Sequence, residues 1–346
     1  MMIIGCDFHP SWQQIAWLDS ETGETGEHKQ VHASGEAKRF YAQLPAPVLI
    51  GMEATGNSQW FIELVEDLGH EIWIGDAAQI RASYLRKQKT DKRDAVHILK
   101  LVVEGRFPRL WTPDREQRDL RQLVLHRHKL VEIRSRVKNE LQHLSMNKGM
   151  QKKRTLWSQA GQKMLRELPL KPWASCRRED LLGLLVLLDE QIGKLDGAVQ
   201  QAADEHPQAQ LLMTQPGVGP NTALAFVLTL GDVSRFRRGK QVASYLGLIP
   251  REQSSGGRQK LGAITKQGNR LVRSLLVEAA QVAVRYDPGF RKQYLHRCHQ
   301  KPKAVAKVAA ARKLAVRLYW MLRTQVAYPE IVRIESSPRV ALVGAS

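Results

Sequence analysis

The run Val48-Leu-Ile-Gly-Met, opened by Pro47 and closed by Glu53, constrains this chain more than any other stretch. It has the length of one strand and no polar residue at alternate positions, so both of its faces must be covered. A strand of that kind belongs inside a sheet with helices packed on it, which makes the surrounding segment α/β. The flanking sequence agrees. Met2-Ile-Ile-Gly-Cys-Asp-Phe-His9 and Gln14-Ile-Ala-Trp-Leu-Asp19 read as two strands joined by a turn at Pro10-Ser11, with a third strand over residues 27–32. Helices are predicted over residues 35–44 and over 59–68, where Phe61, Leu64, Val65 and Leu68 share a face. A further strand is predicted at Glu71-Ile-Trp-Ile-Gly75, and a helix over 91–104 capped by Thr90.

Beyond residue 113 the pattern changes. Leu123, Leu130, Val137 and Leu144 recur every seventh residue, with Leu120 and Leu141 at companion positions and Arg127 and Arg134 interrupting that second row. Leu181, Leu185, Leu188, Ile192, Leu195 and Val199 alternate by four and three. Both runs predict long amphipathic helices forming an antiparallel coiled-coil pair, with a shorter helix over 156–168 between them. Such a pair serves equally as a hairpin within one chain or as a dimer contact. A third part, from residue 206, carries the turn Pro216-Gly-Val-Gly-Pro220, a glycine-punctuated flexible loop over 247–268, and helices over 269–285 and 303–322. The reading is therefore an α/β domain at 1–113, a helical connector at 114–205, a mainly α domain at 206–330 and a loosely held tail at 331–346.

Charge is segregated in the same way. The 346 residues carry a formal charge of +19, yet residues 1–80 hold twelve acidic and three basic side chains, a net of −9, leaving +28 for the remainder. A basic excess of this size implies a polyanionic partner, nucleic acid ahead of an anionic membrane face. Cys6, Cys176 and Cys298 are too few and too scattered for a disulfide framework or a zinc ribbon, which points to a reducing, cytosolic setting. No signal peptide or membrane span is readable: the longest apolar stretch, residues 181–188, is interrupted by Gly183.

Four acids stand where chemistry can use them. Asp7 lies in the first strand, Glu53 ends the buried one, and Asp91 and Asp94 are about one helical turn apart. Hard oxygen donors gathered at strand ends suit one or two Mg²⁺ ions, which can clamp the attacking and leaving oxygens of a phosphodiester. Asp91 could equally complement a helix dipole, whereas Glu53 is costly to bury unless paired or metal-bound. The Gly217 and Gly219 turn fits a helix-hairpin-helix element that reads DNA backbone, with a plain helix connector as the rival. The loop Pro250-Arg-Glu-Gln-Ser-Ser-Gly-Gly-Arg-Gln-Lys260 sets Ser254 and Ser255 among Arg251, Arg258, Lys260, Lys266, Arg270 and Arg273. A serine among cations can attack a phosphodiester, although the composition alone favours a flexible phosphate-binding loop.

Taken in chain order, Gly5-Cys-Asp7, Met52-Glu53-Ala-Thr-Gly56, Lys89-Thr-Asp91-Lys-Arg-Asp94, Pro216-Gly-Val-Gly219, Tyr245-Leu-Gly-Leu-Ile-Pro250, Ser255-Gly256 and Lys266-Gln-Gly-Asn-Arg-Leu-Val-Arg273 resemble the bridge-RNA-guided DEDD transposases of the IS110 insertion-sequence family. Its IS1111 subgroup and the Piv-type DNA invertases share the likeness. The resemblance implies a RuvC-like, ribonuclease-H-like N-terminal domain whose Asp7, Glu53, Asp91 and Asp94 bind Mg²⁺. It implies a coiled-coil connector and a transposase domain whose serine, Ser255 with Ser254 as the alternative, becomes joined to DNA. It also implies donor and target DNA and an element-encoded guide RNA as partners, a homodimer or homotetramer, and a bacterial cytoplasmic, nucleoid-associated location. A metal-only junction nuclease would use the same acids without the serine. A non-catalytic nucleic-acid-binding scaffold would not need the acids at all.

Overall fold

The computed structural model describes residues 1–84, 91–150, 155–254 and 258–336. They form two compact units, Met1–Thr112 and Pro113–Ser346. Among the described residues, no helix is long and apolar enough to cross a membrane.

The first unit contains β1 (Met2–Phe8), β2 (Trp12–Asp19), β3 (Thr25–Val31), α1 (Glu36–Gln43), β4 (Leu49–Glu53), α2 (Gln59–Asp67), β5 (Glu71–Gly75), α3 (Ala77–Ala82) and α4 (Asp91–Val103). One sheet runs in the order β3-β2-β1-β4-β5. Its first three strands form an antiparallel meander, and β4 and β5 lie parallel to β1 and to each other. β4 is covered on both faces, as its composition demands. Ile50 and Met52 join a core with Ile4, Cys6, Phe61 and Val65, while Leu49 packs against Ile98, Val102 and Phe107. The six-residue α3, with its Asp76 side chain accepting from the amides of Ala78 and Gln79, went unpredicted because it is too short to show periodicity. Thr90, the predicted cap of α4, lies outside the described residues.

What seats α4 on this sheet is a pair of glycines. Gly5 of β1 and Gly51 of β4 are register partners. A Cβ on Gly5 would lie 2.3 Å from both the Ala95 oxygen and the Leu99 nitrogen, and one on Gly51 would lie 2.5 Å from Val102 Cγ2. The two bare positions make a groove that lets helix backbone touch sheet backbone. Because Ala95 and Leu99 lie over Gly5, the first turn of α4, with Asp91 and Asp94, is brought to the Asp7 end of β1. We expect Gly5→Ala to cost about 1–3 kcal/mol, the range for overpacking against atoms that cannot yield, read as a drop in the urea midpoint. A wild-type midpoint would contradict this seating.

The second unit contains α5 (Arg115–Met146), α6 (Gln159–Glu167), α7 (Pro172–Asp204), α8 (Pro207–Met213), α9 (Pro220–Leu230), α10 (Gly239–Tyr245), β6 (Pro250–Glu252), β7 (Leu261–Ile264), α11 (Arg270–Tyr286), α12 (Pro288–Gln300), α13 (Lys303–Thr324) and α14 (Glu330–Ser336). The α5 and α7 helices pair within the chain, and the pairing is antiparallel. Arg127 meets Asp196 at 2.5 Å, Arg134 meets Asp189 at 3.0 Å, and Glu140 meets Arg177 at 2.8 Å, so one partner's number falls as the other's rises. The arginines that break the apolar row are thus rungs between the helices. Leu182 rather than Leu181 is buried, with Leu185, Leu188, Ile192 and Val199.

Two expectations are corrected here. Residues 247–268 are not simply a flexible loop, since β6 and β7 pair antiparallel within them. The segment after Tyr328 is not loose throughout, since α14 buries Ile331 in the core of α9, α11 and α13; residues 337–346 lie outside the described set.

Candidate active site

Asp7 and Glu53 sit at corresponding ends of adjacent parallel strands, one position beyond the Cys6–Met52 register pair. Both acids of α4 lie in its first turn, Asp94 buried and Asp91, the helix's first residue, exposed. Donor atoms of Asp7, His9 and Asp91 all lie within 4.8 Å of one another. His9 Nε2 is 3.2 Å from Asp7 Oδ2, and its ring stacks on Trp12 with centroids 4.1 Å apart. Tyr84 donates its hydroxyl hydrogen to Asp94 Oδ1 at 2.6 Å, and its ring stacks on His97 at 4.0 Å. Glu53 is paired with Arg81, whose Nη2 lies 3.3 Å from Oε1.

The electrostatics fit a cation. Burial raises the Asp7 pKa above the ordinary carboxylate value, and the Asp94 and Asp91 charges push the same way against the opposing effect of His9. The Tyr84 phenol is pushed up by burial first, then by its bond to Asp94 and the charges of Asp94, Asp7 and Glu53, so it stays a donor. The Asp94 and Asp91 charges thus act on Asp7, and that repulsion is what a divalent ion relieves. Asp7 and Asp91 are brought together directly, with His9; Asp94 acts on Asp7 through its charge and is bonded by Tyr84, and Glu53, whose charge also reaches Tyr84, remains tied to Arg81.

The second unit carries the other predicted residues. Ser255 lies outside the described residues. Ser254 donates to Glu252 Oε1 at 2.7 Å and accepts from the Lys260 amide at 3.2 Å, which ties it into the β6–β7 hairpin. Arg251, Arg258, Lys260 and Lys266 are exposed, as is Arg270, which lies 3.8 Å from Glu132. Arg273 differs: its Nη1 donates to the carbonyls of Leu246, Gln267 and Gly268 at 3.2, 2.6 and 3.0 Å, so it braces the loop preceding α11. Gly217 has φ +89°, and a Cβ there would lie 2.4 Å from the Ala279 carbonyl, so this turn is packed on α11. Gly219, the N-cap of α9, faces open space.

Comparison with known proteins bears on both units. Residues 4–145 match the DEDD-type IS110 family model described as "Transposase", and residues 209–295 match one described as "Transposase IS116/IS110/IS902 family". A "Probable family 20 transposase" of Pseudomonas aeruginosa is 30% identical over 318 residues, covering 87% of this chain and 93% of that protein. The chain belongs to the IS110 family of transposases. A transposase for insertion sequence element IS1111A of Coxiella burnetii is 26% identical to this IS110-family chain, covering 82% of it and 78% of the relative. The pilin gene-inverting protein of Moraxella bovis is 28% identical over 68% of the chain and 67% of its own length. For a DEDD-type transposase, the grouping of Asp7, His9 and Asp91 points to use of a divalent metal.

Three side chains of this transposase's site escaped the sequence reading. His9 stands two residues past Asp7, at strand alternation, and that spacing alone could have flagged it. Tyr84 and Arg81 stand at the start of the basic part of the chain; their place beside Asp94 and Glu53 follows from α3 and had no sequence signal.

Proposed function

We propose that this IS110-family transposase cuts and rejoins DNA strands by RNA-guided, Mg²⁺-dependent transfer through a phosphoserine intermediate. The observation that carries the reading is the convergence of Asp7 and Asp91 at one end of β1, with the Asp94 charge near enough to act on Asp7 and Glu53 at the same end of β4. The sheet order β3-β2-β1-β4-β5 supports a RuvC-like assignment of this unit. Asp7, Glu53, Asp91 and Asp94 would hold the metal, which when bound supplies Lewis-acid stabilisation of the charge developing on the scissile phosphate. Tyr84 fixes the carboxylate of Asp94 through its donated hydrogen bond. The Ser255 hydroxyl attacks phosphorus, its proton leaving to solvent or a neighbouring base. The bond to the 3′ oxygen breaks, giving a serine phosphodiester and a free 3′-hydroxyl. Reversal by a different 3′-hydroxyl religates without ATP.

The engagement of Ser254 with Glu252 and Lys260 favours Ser255 as the nucleophile. Arg251, Arg258, Lys260, Lys266 and Arg270, with the Gly219 end of α9, would hold nucleic-acid backbone. A homodimer or homotetramer would bring the serine of one protomer to the carboxylates of its partner. The reading is tested by mixing the protein with donor and target DNA and the noncoding RNA encoded beside its gene. Strand transfer should require the RNA and the cation. Undiminished transfer without RNA would remove guidance from the account, and undiminished transfer in a chelator would remove the metal.

A further inference from the structure

We infer that His9 is a metal ligand, giving the carboxylate centre one nitrogen donor and a preference for first-row transition cations over Mg²⁺. The inference rests on the metal site of the proposed function and goes beyond it, because four carboxylates alone make an all-oxygen site. Three observations carry it. Donors held about 2.1 Å from one octahedral ion stand about 3 Å apart when adjacent, and His9 Nε2 and Asp7 Oδ2 are 3.2 Å apart. One donor atom each of His9, Asp7 and Asp91 lie within 4.8 Å of one another, so one ion can reach all three residues.

The ring is also oriented before any ion arrives. It stacks on Trp12 at 4.1 Å with 24° between planes, and Lys29 Nζ sits 4.2 Å from the centre of that indole. The His9 amide donates to the Trp12 carbonyl at 2.9 Å, closing the turn that places the imidazole beyond the end of β1. Imidazole nitrogen is a good donor to later first-row divalent ions and a poor one to Mg²⁺, which favours oxygen and keeps its water. A site with one nitrogen among carboxylates should therefore rank Co²⁺ above Mg²⁺ by more than carboxylates alone would.

The test uses the full chain and two probes, CoCl₂ followed by its visible d–d absorption and MgCl₂ followed by calorimetry. His9→Ala should weaken Co²⁺ binding by about tenfold or more, the scale of a disturbed ligand set, and Mg²⁺ binding by less than about threefold. His9→Asp, which restores an oxygen donor, should recover Mg²⁺ binding and lower the Co²⁺ to Mg²⁺ preference. Unchanged or tighter Co²⁺ binding in His9→Ala would overturn the inference, since a histidine that merely pairs with Asp7 competes with the ion. Equal losses for both ions would overturn it as well, because they mark a general disturbance and not a nitrogen donor. Asp7→Asn separates the two levels: if it abolishes Co²⁺ binding while His9→Ala leaves it at the wild-type value, the carboxylate site stands and only the ligand role of His9 falls. If Asp7→Asn and Asp91→Asn also bind Co²⁺ as wild type does, the metal site itself falls with it.

Discussion

Asp7→Asn should lower DNA strand cleavage by about 10³-fold, or about 4 kcal/mol of transition-state stabilisation, without weakening the fold. The two effects separate because of where Asp7 sits. Burial and the charges of Asp94 and Asp91 raise its pKa above that of the unfolded chain. For an acid, a raised folded-state pKa means that the ionised form opposes folding. That penalty is absent at low pH and develops as pH rises through the unfolded and then the folded pKa. Asparagine keeps the shape and removes the charge, so at neutral pH the variant should melt at or above the wild-type temperature while losing activity. Asp94→Asn should behave alike in cleavage, because Tyr84 can still donate to the amide oxygen. Cleavage within about threefold of wild type in either variant, measured on labelled donor DNA, would remove these acids from the chemistry.

Arg317→Ala should destabilise the second unit by about 3–5 kcal/mol, the cost of leaving a buried charge without its partner. Arg317 Nη1 donates to Asp287 Oδ2 at 2.6 Å, and the two side chains are 3% and 2% exposed. The same Nη1 reaches Gln215 Oε1 at 3.3 Å, and Asp287 Oδ1 caps α12 by accepting from the Phe290 amide at 2.8 Å. One guanidinium thus ties α13 to the start of α12 and to the residue preceding Pro216-Gly217. Asp287→Asn keeps the cap and removes the charge, so adding it to Arg317→Ala should recover part of the loss. Urea unfolding of the two single variants and the double variant checks this. A loss below about 1 kcal/mol in Arg317→Ala would contradict the role of the pair.

The first unit was largely legible from its sequence because its signals are local. Short apolar segments on either side of the turn at Pro10-Ser11 mark β1 and β2, and an apolar run sets β4. The position of α4 was not local: it depends on Gly5 and Gly51 lying side by side across two strands, and no periodicity in α4 reports that. The carboxylates could therefore be nominated, and His9 could have been flagged by its spacing from Asp7, while Tyr84 and Arg81, which bond Asp94 and Glu53, could not. In the second unit the long helices announced themselves by heptads, yet β6 and β7 have only three and four residues and flank a Ser-Ser-Gly-Gly stretch, so turn chemistry masked them. The Arg317–Asp287 pair joins positions thirty residues apart on separate helices and left no trace in composition.

The most direct test of the account is to trap the covalent species. Labelled donor DNA, target DNA, the adjacent RNA and a divalent cation are mixed with the protein and resolved under denaturing conditions, and the adduct is mapped by mass spectrometry. The account predicts a protein-linked strand in wild type and in Ser254→Ala, attached at Ser255, and none in Ser255→Ala, in Asp7→Asn or in chelator. Cut DNA without linked protein in wild type, or full cutting by Ser255→Ala, would contradict it and leave a metal-only nuclease.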